Sequence, residues 1–174
     1  GVKRTLDALD AAGIRHAGSA RTPQEAATTT LLEVEGVRLA LLSYTFGFNG
    51  IPAPGGETWR SNPIDERRIL TDAGAARQRG ADVVVVALHW GDEYNHDPNG
   101  QQQALAPRLI GSPDIDLLLG HHAHVVQPIE AVGDRMSGVP QVACFDTSFH
   151  RGQPAVAELV PLPREIRDKG VQRY

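Results

Sequence analysis

Residues 82–124, DVVVVALHWGDEYNHDPNGQQQALAPRLIGSPDIDLLLGHHAH, decide the fold. Asp82–Leu88 is a continuous β-branched run, the pattern of a strand covered on both faces in a parallel sheet. A polar loop over 89–99 follows. Residues 101–110 (QQQALAPRLI) then read as a helix, with Pro107 as an irregularity. Asp116–Leu119 (DLLL) is a second buried strand, closed by Gly120. Strand, helix and strand in this order form a β-α-β crossover, so an α/β domain is expected.

Working toward the N-terminus, Asn62-Pro63 reads as an N-cap followed by proline at the first helical position. That helix runs to about Arg79 and stops at Gly80. Residues 46–61 form a long loop rich in glycine and proline, a length at which loops are often functional. Thr30–Glu35 and Val37–Thr45 flank Gly36 as a hairpin. Thr22-Pro23-Gln24-Glu25 has capping-box spacing and starts a short helix. A first helix over 2–12 ends at Gly13, and Ile14–Gly18 reads as a short strand. Beyond the deciding stretch, Val125–Ala131, Val139–Phe145 and Ala155–Val160 read as strands without intervening helices. Part of the sheet is therefore expected to be antiparallel.

The chain has 174 residues, which fits a single domain over 1–174. It opens inside a helix, without Met or a capping residue, and reads as a domain lacking its N-terminal portion. Hydrophobic residues at 41% and charged residues at 22% exclude a wholly disordered chain. A formal charge of −4 argues against a general nucleic-acid binder. No apolar run approaches the roughly 20 residues of a membrane span, and no signal segment is present. Cys144 is the single cysteine, so an intrachain disulfide and a cysteine-based zinc site are excluded. It reads as a small buried hydrophobe.

Four of the seven histidines stand at the ends of the two buried strands. His89 directly follows VVVVAL, and His121, His122 and His124 follow LLLG. Open α/β sheets bind ligands outside the carboxyl ends of their strands. If the two strands are parallel neighbours, the histidines converge. Imidazole is the commonest metal-binding side chain, and an H-x-H step suits Zn, Mn, Fe or a similar ion. A lone strand-end histidine is more simply a hydrogen-bonded structural group; the coincidence at two strand ends points to metal. Gly91 permits a sharp turn, bringing Glu93 near the site to orient water, accept a proton or hold substrate. Asp92 reads as a solvated loop charge. Trp90 either caps the pocket or packs beneath the loop. His96 reads as a solvated loop residue, His16 as part of a short strand, and His150 as a loop residue.

Residues 87–130, ALHWGDEYNHDPNGQQQALAPRLIGSPDIDLLLGHHAHVVQPIE, resemble the bacterial capsule-synthesis protein CapA family, associated with poly-γ-glutamate. The matching positions are His89, Trp90, Gly91, Glu93, Tyr94, Pro98, Gln102, Gly120, His121, His122, His124, Val125, Gln127 and Pro128. TLDALDAAGIRHAGSARTPQEA, residues 5–26, resembles an earlier part of the same family. That family is similar to calcineurin-like metallophosphoesterases. The resemblance implies the C-terminal portion of a β-sandwich flanked by helices, with a mixed sheet and a two-metal site.

It also implies roles for particular residues. His89, His122 and His124 become ligands for divalent ions, with His121 an alternative to His122. Glu93 and His89 become the catalytic groups, and Trp90, Tyr94 and Gln127 the substrate contacts. The implied function is a metal-dependent hydrolase-type protein in capsule or poly-γ-glutamate synthesis or processing. The alternatives are a non-catalytic polymer-binding or scaffold component and a phosphodiesterase unrelated to capsule. Implied partners are poly-γ-glutamate or another envelope polymer, capsule synthase subunits, and a partner segment completing the domain. The implied location is the cell envelope or the exterior. Two departures stand out. The family's early Asp ligands and Asn-His step do not precede Gly1, and Asp146-Thr147-Ser148-Phe149 stands where a Leu-Gly-Asn-Phe step is usual. The chain is therefore expected to bind at most one ion, weakly, with little turnover.

Overall fold

Three adjacent parallel strands and one antiparallel edge strand carry the computed structural model, which describes residues 1–51 and 56–127. The elements are α1 (Val2–Ala11), α2 (Pro23–Ala26), β1 (Thr30–Val34), β2 (Val37–Thr45), a 3-10 turn (Thr58–Arg60), α3 (Glu66–Gln78), β3 (Val83–His89), α4 (Gly100–Ile110) and β4 (Leu117–His121). The sheet order is β1-β2-β3-β4. The fold is a mixed α/β sheet with helices packed on it, consistent with part of a metallophosphoesterase-like domain.

The hairpin forms at Glu35-Gly36, both with positive φ (50° and 83°), the backbone of a two-residue turn that matches strand twist. β2 then alternates. Ala40, Leu42 and Tyr44 point to the covered face, alongside Val84, Val86 and Leu88 of β3. Against them pack Ile69, Ala73 and Ala76 of α3 and Leu105 and Leu109 of α4, with Ile115. Burying an aliphatic chain of this size contributes about 1.5–3 kcal/mol, so this layer dominates stability. On the opposite face Leu41, Val85 and Leu117 lie in register across three strands. That face is less covered, and Leu119 is 41% exposed.

Asp116 ties the two crossovers together. Its carboxylate accepts from the Val84 N–H at 2.7 Å and pairs with Arg77 of α3. Tyr44 donates its hydroxyl to Asp72 at 2.8 Å; burial, then the hydrogen bond to Asp72, pushes that phenol well above its ordinary range. At the N-terminal end, Arg21 pairs with Asp7, Asp10 and Glu25, joining α1 to α2. Its hydrogen bonds hold Asp10 and Glu25 below the usual carboxylate range, while Asp7 is lowered first by Lys3 and then by Arg21. Asp7 and Asp10 are about half exposed, so their pairs with Arg21 contribute little energy; the Arg21–Glu25 pair is more covered.

Two expectations are corrected. α3 begins after Asp65, not at Asn62-Pro63. Asn62 instead accepts the Thr45 N–H through its carbonyl and donates its side-chain amide to the Ser43 carbonyl, while Pro63 bridges Thr45. The end of β2 thus uses the residues that were to start the helix. Asp65 caps it, accepting the Arg68 N–H at 2.7 Å. Asp65→Ala is expected to cost about 0.5–2 kcal/mol in thermal or denaturant unfolding. Second, Ile14–Gly18 forms no strand; only Ser19 makes an isolated bridge, to Ser61. Residues 125–127 are not strand either. The rest of that expected strand, and those at Val139–Phe145 and Ala155–Val160, lie outside the described residues, as do Cys144 and His150.

Candidate metal centre

Because β3 and β4 are parallel neighbours, their carboxyl ends share one sheet edge. His89 and His121 are direct register partners there, with their Nδ1 atoms 3.0 Å apart. Beyond β4 the chain turns sharply. His122 and His124 both have positive φ (101° and 57°), a conformation uncommon for residues other than glycine and concentrated at functional sites. The turn folds His122 inward, to 9% exposure, and its ring centroid lies 4.4 Å from that of His89 and 6.2 Å from that of His124.

The loop after β3 supplies a carboxylate. Trp90 is 4% exposed, and its indole nitrogen lies where a side chain on Gly120 would intrude, 2.9 Å from the position of a Cβ. Trp90 therefore packs in the core beneath the loop. Gly91 (φ 92°) turns the chain, and a Cβ there would meet the Gln102 amide at 2.9 Å. The turn presents Glu93 to the histidine loop. Among the described residues, Glu93, His122 and His124 form the set of three whose ligand atoms all lie within 4.8 Å of one another. His89 stands beside this trio and outside it, paired with His121.

Hydrogen bonds strap the two loops. The Tyr94 N–H donates to the Ala123 carbonyl at 2.8 Å, and His96 Nδ1 contacts the Val126 carbonyl at 2.9 Å. His96, read from sequence as a solvated loop residue, is thus part of the strap. Gln127 donates to the Asn95 carbonyl at 3.1 Å and accepts from Gln102 at 2.7 Å. Its amide is engaged within the protein. Asp92 is exposed and accepts from Asn99 at 3.0 Å. His16 lies far along the chain, against Asp10.

Two aromatic rings flank the site. Tyr94 is 72% exposed and stacks on His124 with centroids 5.7 Å apart. Phe46, which sequence reading passed over, stacks on His89 at 5.9 Å and tilts over His122 at 4.9 Å. Its N–H donates to the His89 carbonyl at 2.9 Å. Thr45 is the register partner of His89, so the strand-end rule applied to β2 identifies Phe46.

Two imidazoles and one carboxylate suit a borderline divalent ion with an open coordination position, such as Zn or Fe(II). The carboxylate supplies negative charge that neutral imidazoles lack.

The bacterial capsule synthesis protein PGA_cap family model matches residues 1–137. The chain belongs to this family. It is 28% identical over 175 residues to the capsule biosynthesis protein CapA of Bacillus anthracis, covering 98% of this chain and 41% of that protein. It is 36% identical over 101 residues to the PGA biosynthesis protein CapA of Bacillus subtilis (strain 168), covering 56% of this chain and 25% of that one. The chain thus spans less than half the length of these PGA_cap relatives. A second model, the acetokinase family, matches residues 115–174. An acetate kinase of Rhodopseudomonas palustris (strain ATCC BAA-98 / CGA009) is 48% identical over 54 residues, which is 31% of this chain and 14% of that enzyme. Asp146–Phe149, where the PGA_cap-like pattern departs, falls within the acetokinase match. Sequence reading did not register this second likeness.

Proposed function

We propose that the chain provides a metal-dependent, hydrolase-type site acting in capsule or poly-γ-glutamate synthesis or processing at the cell envelope. The supporting observation is the convergence of Glu93, His122 and His124, within a chain of the PGA_cap family. Glu93, His122 and His124 would hold a divalent ion there, and such an ion would supply Lewis-acid polarisation of a phosphoryl or acyl oxygen and activation of water. Glu93 balances the cation's charge and faces solvent, where substrate arrives. His89 contacts the reacting group from beside the trio, held by His121 and roofed by Phe46. Tyr94 lines the mouth as a substrate contact, whereas Trp90 and Gln127 support the loops. The partners are an envelope polymer such as poly-γ-glutamate and the subunits of a capsule synthase. Among the described residues no helix is long and apolar enough to cross a membrane. The acetate kinase likeness covers too small a share of that enzyme to carry a kinase reading.

A screen of metal-loaded protein against phosphoesters and γ-glutamyl peptides tests this. Weak, metal-dependent turnover is expected, and Glu93→Gln lowers it further, by about 10²-fold or more. Metal uptake should fall on acidification, because ligating imidazole and carboxylate groups bind metal only when deprotonated. Metal uptake with no turnover of either substrate class overturns the hydrolase reading and favours the polymer-binding alternative.

A further inference from the structure

Gln102 sits in the first turn of α4, yet its side chain reaches three separate parts of the site's support. It is 6% exposed. Its Oε1 accepts the Asn99 N–H at 2.9 Å while Asn99 Oδ1 accepts the Gln102 N–H at 3.1 Å, closing a reciprocal cap on α4. The same amide lies under Gly91, at the turn that presents Glu93. Its Nε2 donates to Gln127 Oε1 at 2.7 Å, and Gln127 Nε2 donates onward to the Asn95 carbonyl at 3.1 Å. One buried amide therefore ties a rigid helix end to the carboxylate loop and to the segment after the histidine loop. Capping alone needs only the acceptor oxygen. The donor half serves the contact to Gln127.

We propose that Gln102 is a positioning residue that, through Gln127, sets Glu93 against His122 and His124. The inference rests on the metal-site reading above for its consequence, and on the hydrogen bonds alone for its geometry. Groups hydrogen-bonded directly to a metal's ligands are typically worth about 10–100-fold in affinity; Gln102 acts further out, so the lower end of that range bounds its effect.

Gln102→Glu separates the two roles. Glutamate keeps the acceptor for Asn99 and the shape of the side chain but has no hydrogen to give Gln127. Gln127 then keeps only the long contact from its Nε2 to the side-chain oxygen at position 102, 3.5 Å in the parent, unless its amide flips and turns its own oxygen toward the Asn95 carbonyl. Gln102→Met removes both the cap and the latch. The full chain and both variants are titrated with Zn²⁺, and backbone hydrogen exchange is followed at Tyr94, whose N–H bridges the two loops to the Ala123 carbonyl. Gln102→Glu is expected to weaken Zn²⁺ binding by up to about 10-fold and to speed exchange at Tyr94, and to melt lower because it buries a carboxylate. Gln102→Met is expected to do the same through loss of both the cap and the latch, without a buried charge. Parent-like Zn²⁺ affinity and parent-like Tyr94 exchange in Gln102→Glu overturn the proposal. If the parent takes up no Zn²⁺, the metal reading fails; faster Tyr94 exchange in Gln102→Glu then still supports the latch, and unchanged exchange overturns it too.

Discussion

Replacing His124 by Asn is expected to lower divalent-metal affinity by more than about 100-fold, because in the proposed site it removes a direct ligand where outer partners alone account for about 10–100-fold. Asparagine is chosen for the backbone. His124 has φ 57°, in the left-handed region that asparagine tolerates better than most side chains. The loop can therefore keep its turn, and the loss reports the imidazole rather than a refolded segment. His122→Asn is expected to act in the same direction, with an added stability cost, because His122 is nearly buried and packs between His89 and Phe46. Competition against a chromogenic chelator gives the affinity, and circular dichroism checks the fold. Parent-like affinity in His124→Asn contradicts the assignment of the trio.

Leu88→Ala is expected to cost about 2–5 kcal/mol, the largest stability effect of any truncation proposed here. Leu88 is fully buried in the layer between the sheet and the two crossover helices, and it immediately precedes His89. Its removal leaves a cavity lined by groups fixed on strands and helices, which close in only partly. Against a total stability of about 5–15 kcal/mol for a typical domain, that is a large fraction. Leu119→Ala provides the contrast. Leu119 lies on the other face, 41% exposed, and its loss should cost far less. Chemical denaturation measures both. Equal costs contradict the placement of the core on the α3 and α4 face.

Sequence patterning carried β3, α4 and β4 because each has a strong local signal. The β-branched run, the QQQALAPRLI stretch and the LLLG run all point to the structure they adopt. The meeting of His89 with the GHHAH loop was legible for the same reason, since parallel neighbouring strands must end at the same edge. Three features were not legible. The Asn62-Pro63 pair has good helix-start chemistry, yet tertiary hydrogen bonds at the end of β2 claim it. Phe46 carries no motif and gains meaning only from the register of β2 with β3. The partition of the histidines, with His121 on His89 and His122 with His124 and Glu93, depends on the backbone turn after β4. Spacing alone left His121 and His122 interchangeable.

Glu93 also changed meaning once its neighbours were known. From sequence it was a carboxylate on a tight turn, available to water or substrate. In the fold its carboxylate lies within ligand distance of His122 and His124, on a loop strapped to the histidine loop through Tyr94, His96 and Gln127. A site built of histidines alone leaves a divalent charge poorly balanced, and this carboxylate is what makes one ion per chain reasonable.

Zinc K-edge absorption on the full chain, loaded with less than one equivalent of Zn²⁺, tests the central claim most directly. The account predicts one ion bound through two imidazoles and otherwise oxygen donors, with a spectrum unchanged in Cys144→Ser. It also predicts that one imidazole is lost from the spectrum, or the ion itself is lost, in His124→Asn. No uptake of Zn²⁺, a site without imidazole, or a spectrum carrying sulfur contradicts it.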